Sequence, residues 1–272
     1  MDVAVVGPGR LGLQLAAALA ASGRVRVRLR GRGAPPAERP PALVGVPWDG
    51  WSHPERPLDE PLVVLAVPDR EIGAAAAALA RGGPMRGRVV LHTSGLARSD
   101  ALVPCWEAGA AVGSWHPLQS FPPLATGAVP WEDVWVAVEG DPTAVAAGFE
   151  LARALDAHPW RIAPGDKARY HAAAAVAVNL THVLLAEALD LLEACGLPRR
   201  DAARALAPAV RTGVEAALAA RGLERLTGPL VRGDAATVAR HLEVLPPEVA
   251  EVYRALAALV RRRLAGNGRS PQ

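Results

Sequence analysis

The chain has 272 residues, of which 51% are hydrophobic and 21% charged, with a formal net charge of +3. That composition excludes a disordered chain, and 26 Gly with 25 Pro in no periodic repeat excludes collagen-like and low-complexity architectures. So slight a charge, with seven scattered tryptophans, argues against nucleic acid, and two cysteines cannot build a disulfide framework, which suits a reducing, cytoplasmic compartment.

The first segment, Val3 to Val6, is a short β-branched run followed by Gly7-Pro8-Gly9-Arg10-Leu11-Gly12 and a helical stretch from Leu13 to Ser22. Strand, glycine turn and helix with the spacing G-x-G-x-x-G predict a dinucleotide site. The first glycine permits the tight turn, the second lets a pyrophosphate approach the backbone, and the third lets helix and strand pack closely. Free N–H groups of the helix N-terminus, at Arg10, Leu11 and Gly12, then face the phosphates. No basic, apolar leader precedes this turn, so no secretory signal is expected.

The second strand, Arg24 to Arg30, carries no acid at its end, where one would hold the ribose 2′-OH of NAD; it has Arg30-Gly31-Arg32 instead. Arg30 and Arg32 suit a 2′-phosphate, so NADP is expected over NAD. The alternative is a solvated strand edge, because Arg24, Arg26, Arg28, Arg30 and Arg32 alternate along one face.

Residues 34–61 are proline-rich and predict loops around a short strand near Leu43 to Val46. Leu62 to Val67 is a fully apolar run, as a buried parallel strand requires. It ends at Pro68-Asp69, with a helix from Arg70 to Ala80. Further strands are expected at Arg88–Leu91, Ala110–Trp115 and Val134–Val138, and a helix from Pro142 to Leu155. This alternation predicts a doubly wound, mostly parallel α/β domain.

The pattern changes near residue 163. Helices are expected over Lys167–Cys195, Pro198–Leu218, Ala235–Leu245 and Pro247–Leu264, with a loose tail over 266–272. The predicted organisation is a dinucleotide-binding domain over 1–162 and an all-α domain over 163–265. The longest apolar stretch, His171 to Leu192, contains Asn179, His182, Glu187 and Asp190; a membrane span would tolerate these poorly, so a buried helix is expected.

In open parallel sheets ligands lie beyond the carboxyl ends of the strands. Three polar clusters fall there: Val67-Pro68-Asp69, His92-Thr93-Ser94-Gly95 and His116-Pro117-Leu118-Gln119-Ser120-Phe121. Imidazoles at such a place can exchange protons near neutral pH. His92 also fits a hydrogen-bonded strand-end histidine, and Asp69 a helix cap. Every basic residue but Lys167 is an arginine, and an arginine cannot donate a proton as lysine can. Lys167 and His171 are four apart on one helical face, with Asn179 drifting about 80° from it. The alternative is a chance surface lysine and a core asparagine. Arg232 lies in the loop Leu226–Asp234, either to meet an anionic substrate or as part of a turn with Asp234 capping the next helix. The histidines show no zinc spacing, so no metal site is expected.

Taken together and in this order, Gly7–Gly12, Ala66–Asp69, His92–Gly95, His116–Phe121, Lys167 with Tyr170, His171 and Asn179, and Thr227-Gly228-Pro229 with Arg232-Gly233-Asp234 resemble the bacterial Rossmann-like proteins that carry the domain of unknown function 2520. That family is similar in layout to pyrroline-5-carboxylate reductase, ketopantoate reductase and the β-hydroxyacid dehydrogenases. The resemblance implies an NADP-binding Rossmann domain, a helical domain of the 6-phosphogluconate-dehydrogenase-like type and a homodimer through that domain. Lys167 matches the lysine of the β-hydroxyacid dehydrogenases, whereas His171 stands where they have asparagine; Ser94 looks like their substrate-contacting serine.

The expected activity is hydride transfer between NADP and a small carbonyl, imine or hydroxy compound in an interdomain cleft. Lys167, His116 and His171 are the expected acid–base groups. Ser94, Gln119, Ser120, Asn179 and Arg232 would orient the substrate, and Gly7, Gly9, Arg10, Leu11, Gly12, Arg30, Arg32, Val67 and Pro68 would hold the cofactor. Two rival readings are a non-catalytic dimeric NADP sensor and a deazaflavin-dependent NADP reductase.

Overall fold

A computed structural model describes residues 1–31, 40–50 and 58–266. Arg32, named above for the cofactor, and the tail beyond Gly266 lie outside the described residues. By compactness the chain divides into Met1–Val178 and a second unit from Asn179 onward.

The first unit is built on an eight-stranded sheet of order β3-β2-β1-β4-β5-β6-β7-β8. The strands are β1 (Asp2–Val6), β2 (Arg26–Gly31), β3 (Trp48–Gly50), β4 (Leu62–Leu65), β5 (Val89–His92), β6 (Ala111–Pro117), β7 (Trp135–Gly140) and β8 (His158–Arg161). All neighbours pair in parallel except β6 with β7. The order reverses between β1 and β4, which opens a crevice beyond their carboxyl ends.

Helices cover both faces. Along β1 and β4 alternate side chains go to opposite layers: Val3, Val5 and Val64 pack with Leu15 and Leu19 of α1 (Arg10–Ser22). Ala4, Val6, Val63 and Leu65 pack instead with Ile72 and Leu79 of α2 (Ile72–Arg81). Both layers being filled is why these strands read as continuous apolar runs. Each fully buried leucine contributes roughly 1.5–3 kcal/mol. The short α3 (Val103–Glu107) lies on the α2 side, and α4 (Pro142–Arg153) buries Leu151 in the first layer.

Two expectations are corrected. Leu43 to Val46 is not a strand: Pro41–Leu43 is a 3₁₀ turn, and the chain reaches the sheet edge later, where Trp48 pairs with Leu29. Val67 and Ala66 lie outside β4, because the strand hands over to the turn at Pro68 that starts the next helix. Neither β3 nor β8 was expected.

The first unit ends in α5 (Lys167–Ala174) and runs into a π-helical segment, Ala175–Leu180. Lys167 therefore belongs to the sheet-containing unit. The second unit holds α6 (Thr181–Ala194), α7 (Arg199–Ala219), α8 (Pro229–Arg232), α9 (Ala235–Val244) and α10 (Pro247–Gly266). Asp234 does cap α9, accepting from Thr237 N at 3.0 Å and Thr237 Oγ1 at 2.7 Å. The expected burial of the His171–Leu192 helix is corrected: α6 contains no buried residue, and Val183 and Leu184 are exposed. Pro164–Ala194 is long and apolar enough to cross a membrane by length and composition alone, and one such helix is weak evidence.

The glycine turn sets the tightest constraint on this frame. Gly7 has φ +107°, and a Cβ there would lie 2.4 Å from the Ala66 carbonyl oxygen; one on Gly12 would lie 1.9 Å from the Gly7 carbonyl oxygen. Gly12→Ala is expected to cost at least about 1–3 kcal/mol through overpacking, read as a fall in the urea midpoint. A wild-type midpoint would refute this account of α1 seated on the turn.

Candidate functional site

A cleft of about 420 Å³ opens at the β1–β4 crevice, lined by Gly7, Pro8, Gly9, Gly31, Val67 and Pro68. Its other wall is α2, with Ala74, Ala75 and Ala78 presenting small side chains, and Glu71, in the turn just before the helix, adds a carboxylate to the described lining. A Cβ on Gly9 would meet nothing within 4 Å, so the second glycine keeps open space in front of the backbone. No side chain caps the N-terminus of α1, whose first N–H groups stay available for an anion. Arg10 is exposed at that terminus, Leu11 packs against the core, and Gly12 is buried beneath it. These residues fit the phosphate end of a dinucleotide.

Arg30 has a different role from the expected one. It is 7% exposed, and its guanidinium faces Asp49 at 3.6 Å and Glu60 at 3.9 Å. Arg28 reaches the same acids at 2.9 and 2.7 Å. Two arginines and two carboxylates thus form an ionic cluster that ties β2 to β3. The solvated-edge alternative holds for Arg24 and Arg26, paired at the surface with Asp156 and Asp2.

A second group of side chains gathers at the carboxyl ends of β5 and β6. His116 Nδ1 and the Tyr170 hydroxyl share a 2.7 Å hydrogen bond, and their rings meet edge-on. His171 stands T-shaped to His116 at 5.9 Å between centroids. Both imidazoles converge on Gly95, where a Cβ would lie 2.5 Å from His171 Nδ1 and 2.9 Å from His116 Nε2. Trp160 of β8 closes on the other edge of Tyr170. Burial, with His171 and Lys167 nearby, lowers the His116 pKa to about 4, so the ring is neutral at neutral pH. Burial pushes the Tyr170 phenol up, which keeps its proton in place.

Lys167 and Ser94 are both tied into the sheet-containing unit by hydrogen bonds. Lys167 is 2% exposed, and its Nζ donates to the Ser94 carbonyl at 3.0 Å and to Ser114 Oγ at 2.5 Å, with Glu139 at 3.9 Å. Burial lowers its pKa to about 8, with Glu139 and Asp69 opposing. Ser94 Oγ donates to Asp69 at 2.7 Å and accepts from the N–H groups of Leu96 and Ala97, so it organises its own loop. Asp69 accordingly holds Ser94 and does not cap the following helix. His92 is the hydrogen-bonded strand-end histidine: Nδ1 accepts from Ser94 N–H and Nε2 donates to Arg98 O.

Gln119 and Ser120 are exposed just past β6, where Gln119 Oε1 accepts from Ser120 N–H. Asn179 and Arg232 are exposed in the second unit. Four residues that complete the site were missed. Tyr170 entered the sequence reading only as part of a motif, and the scarcity of tyrosine, which occurs only at 170 and 253, is the usable signal. Ser114 and Glu139 are ordinary strand residues in sequence. Gln14 sits in an apolar helix, yet its amide is 1% exposed and holds the stretch after β6 through Gly127 O at 2.9 Å and Val129 N at 2.9 Å.

A glycine cleft and an imidazole–phenol cluster on the carboxyl edge of one doubly wound sheet define a Rossmann-type protein. Residues 1–117 match the family model for a Rossmann-like domain. Residues 134–260 match that for the domain of unknown function DUF2520. No curated protein matches the chain. Among solved structures it is similar to a Bacteroides fragilis protein described as an NADP oxidoreductase, with TM-score 0.79 and 18% identity over 96% of this chain and 98% of that one. It is similar also to an imine reductase of Myxococcus stipitatus in complex with NADP⁺, with TM-score 0.68 and 14% identity over 100% and 96%. A third is pyrroline carboxylate reductase of Plasmodium falciparum with NADP bound, with TM-score 0.64 and 13% identity over 97% and 96%.

Two buried neutral histidines make stability depend on pH. His92 and His116 both fall from 6.5 to about 4, so between those values the unfolded chain binds more protons than the folded one. Stability therefore rises with pH across that window and is lost on acidification. The melting temperature should fall between pH 6.5 and 4, and His92→Asn should flatten part of the slope. A pH-independent melting temperature over that range would contradict the burial of both rings.

Proposed function

We propose that the protein is an NADP-dependent oxidoreductase acting on a small carbonyl or imine. The observation that carries this reading is the pairing of the glycine cleft with the His116–Tyr170–His171 cluster on the same sheet edge. The cofactor, when bound, supplies a hydride to the carbon of C=N or C=O. Gly7, Gly9 and the first N–H groups of α1 would hold its pyrophosphate, with Val67 and Pro68 alongside. Arg30 and Arg32 are the candidates for the 2′-phosphate.

The heteroatom takes the π pair of C=N or C=O as the hydride adds to carbon, and it needs a proton. Tyr170 Oη keeps its proton at neutral pH and would donate it; His116 Nδ1–H would return a proton to the phenolate oxygen as His116 Nε2 takes one from His171 or solvent, which leaves the imidazole neutral. His171 stands next in line toward solvent. Reduction of imines by two of the similar proteins makes C=N the first substrate to test. Gln119, Ser120, Asn179 and Arg232 remain the candidates for orienting the substrate.

The helical unit would form a homodimer. Val183 and Leu184 on α6 and Val252, Leu256 and Leu259 on α10 are exposed, and apolar helix faces of this extent are usually covered by another chain. The free Cys105 and Cys195 accord with a cytoplasmic location.

Calorimetric titration should show NADPH binding more tightly than NADH, with Arg32→Ala removing most of the preference. Gly9→Ala should leave the melting temperature unchanged and weaken NADPH binding about tenfold, or 1.4 kcal/mol. Tyr170→Phe should keep NADPH affinity and lower kcat on a cyclic imine about 10²–10⁴-fold. Absence of NADPH binding would end the proposal; binding without turnover of any carbonyl or imine would favour the sensor reading.

A further inference from the structure

The buried lysine has a task that neither the cleft nor the proton relay uses. Lys167 begins α5 and joins this helix to three parts of the sheet: its ammonium contacts β6 through Ser114, β7 through Glu139 and the loop after β5 through the Ser94 carbonyl. Tyr170 and His171 follow within the next turn of the same helix. The peptide between Ser94 and Gly95 is thus gripped from two sides, by the ammonium on the Ser94 oxygen and by the two imidazoles that converge over Gly95. Glu139 is 1% exposed and extends the grip to Ser99, accepting from its N–H at 2.7 Å and its hydroxyl at 2.9 Å.

We infer that Lys167, with Glu139, is a positioning residue that sets Tyr170 and His171 against His116, and is not itself a proton donor to substrate. The inference deepens the proposed function and rests on it for the identity of the reaction. Its geometric content is independent of that reaction: if the first turn of α5 loses its anchor, the phenol and one imidazole shift relative to the other imidazole. A displacement of about 1 Å at such a site costs roughly 10² in rate without touching the chemistry of the groups displaced. Arginine would not replace this lysine, because the enclosed space holds a point ammonium among three oxygens and a planar fork needs more room.

The test compares wild type, Lys167→Met and Lys167→Met/Glu139→Gln. The double variant removes the carboxylate that the single variant leaves buried and unpaired, so it serves even where the single variant fails to fold. Each is titrated with NADPH, assayed with a cyclic imine, and examined by ¹⁵N NMR of the imidazoles of His116 and His171. The expected result is unchanged NADPH affinity, a shift of both imidazole signals, and kcat lowered about 10²-fold in the single variant. About tenfold of that loss is expected to return in the double variant, as for directly coupled residues. Imidazole signals that stay at their wild-type positions in every folded variant would overturn the inference. So would a loss of kcat with no recovery in the double variant alongside unmoved imidazoles, which would make Lys167 the donor. Should wild type bind NADPH yet reduce no imine, the proposed reaction fails while the imidazole comparison still decides the role of Lys167: a shift upholds it and no shift refutes it.

Discussion

A buried ammonium has to be met by oxygens, because an isolated cation in a protein interior costs several kcal/mol that only close partners offset. Lys167 meets this demand with three groups from three neighbouring parts of the sheet: the carbonyl after β5, the hydroxyl of Ser114 on β6 and the carboxylate of Glu139 on β7. The same requirement draws the start of α5 onto the strand ends. Everything that distinguishes this site from a bare nucleotide fold follows from that docking, since Tyr170 and His171 reach His116 only because α5 lies there. The boundary between the two compact units accordingly falls past Lys167, at Val178.

The two ends of the crevice are built by opposite means. At the β1–β4 end, side chains are removed: Gly7, Gly9, Gly12 and Gly31 leave backbone and space, and α2 adds alanines, with the carboxylate of Glu71 in the turn before it. That suits a ligand recognised through backbone N–H groups. At the β5–β6 end, side chains are crowded together, and water is displaced from His92, His116 and Tyr170 strongly enough to hold all three neutral near pH 7. Neutral imidazole and phenol can pass a proton either way with little reorganisation, which a charged pair in water would not allow.

The arginine-rich β2 illustrates how context reassigns a residue. An arginine at the end of this strand is well placed in sequence for a 2′-phosphate, yet Arg30 turns to Asp49 and Glu60. Once the short β3 adds to the edge, the carboxylate of Asp49 comes within 3.6 Å of its guanidinium. Ser94 and Asp69 exchange expected roles in the same way. A hydroxyl with three local partners is spent on its loop, and a carboxylate thought to cap a helix is spent on that hydroxyl.

What the amino-acid sequence determined by itself was whatever depends on local pattern. A continuous apolar run such as Leu62 to Leu65 reads as a doubly covered strand, the first and third glycines of G-x-G-x-x-G make a turn that side chains would block, and the aspartate at 234 caps the helix beside it. Tertiary structure decided what depends on partners far along the chain. β3 and β8 are too short and too irregular in composition to announce themselves, and they exist because a neighbouring edge offers hydrogen bonds. The fate of Lys167 turned on Glu139 and Ser114, 28 and 53 positions away, which no spacing rule relates to a helix start. Burial, and with it the neutrality of His116, is a property of all the elements that surround a side chain, so it became legible only when the sheet and α5 stood together.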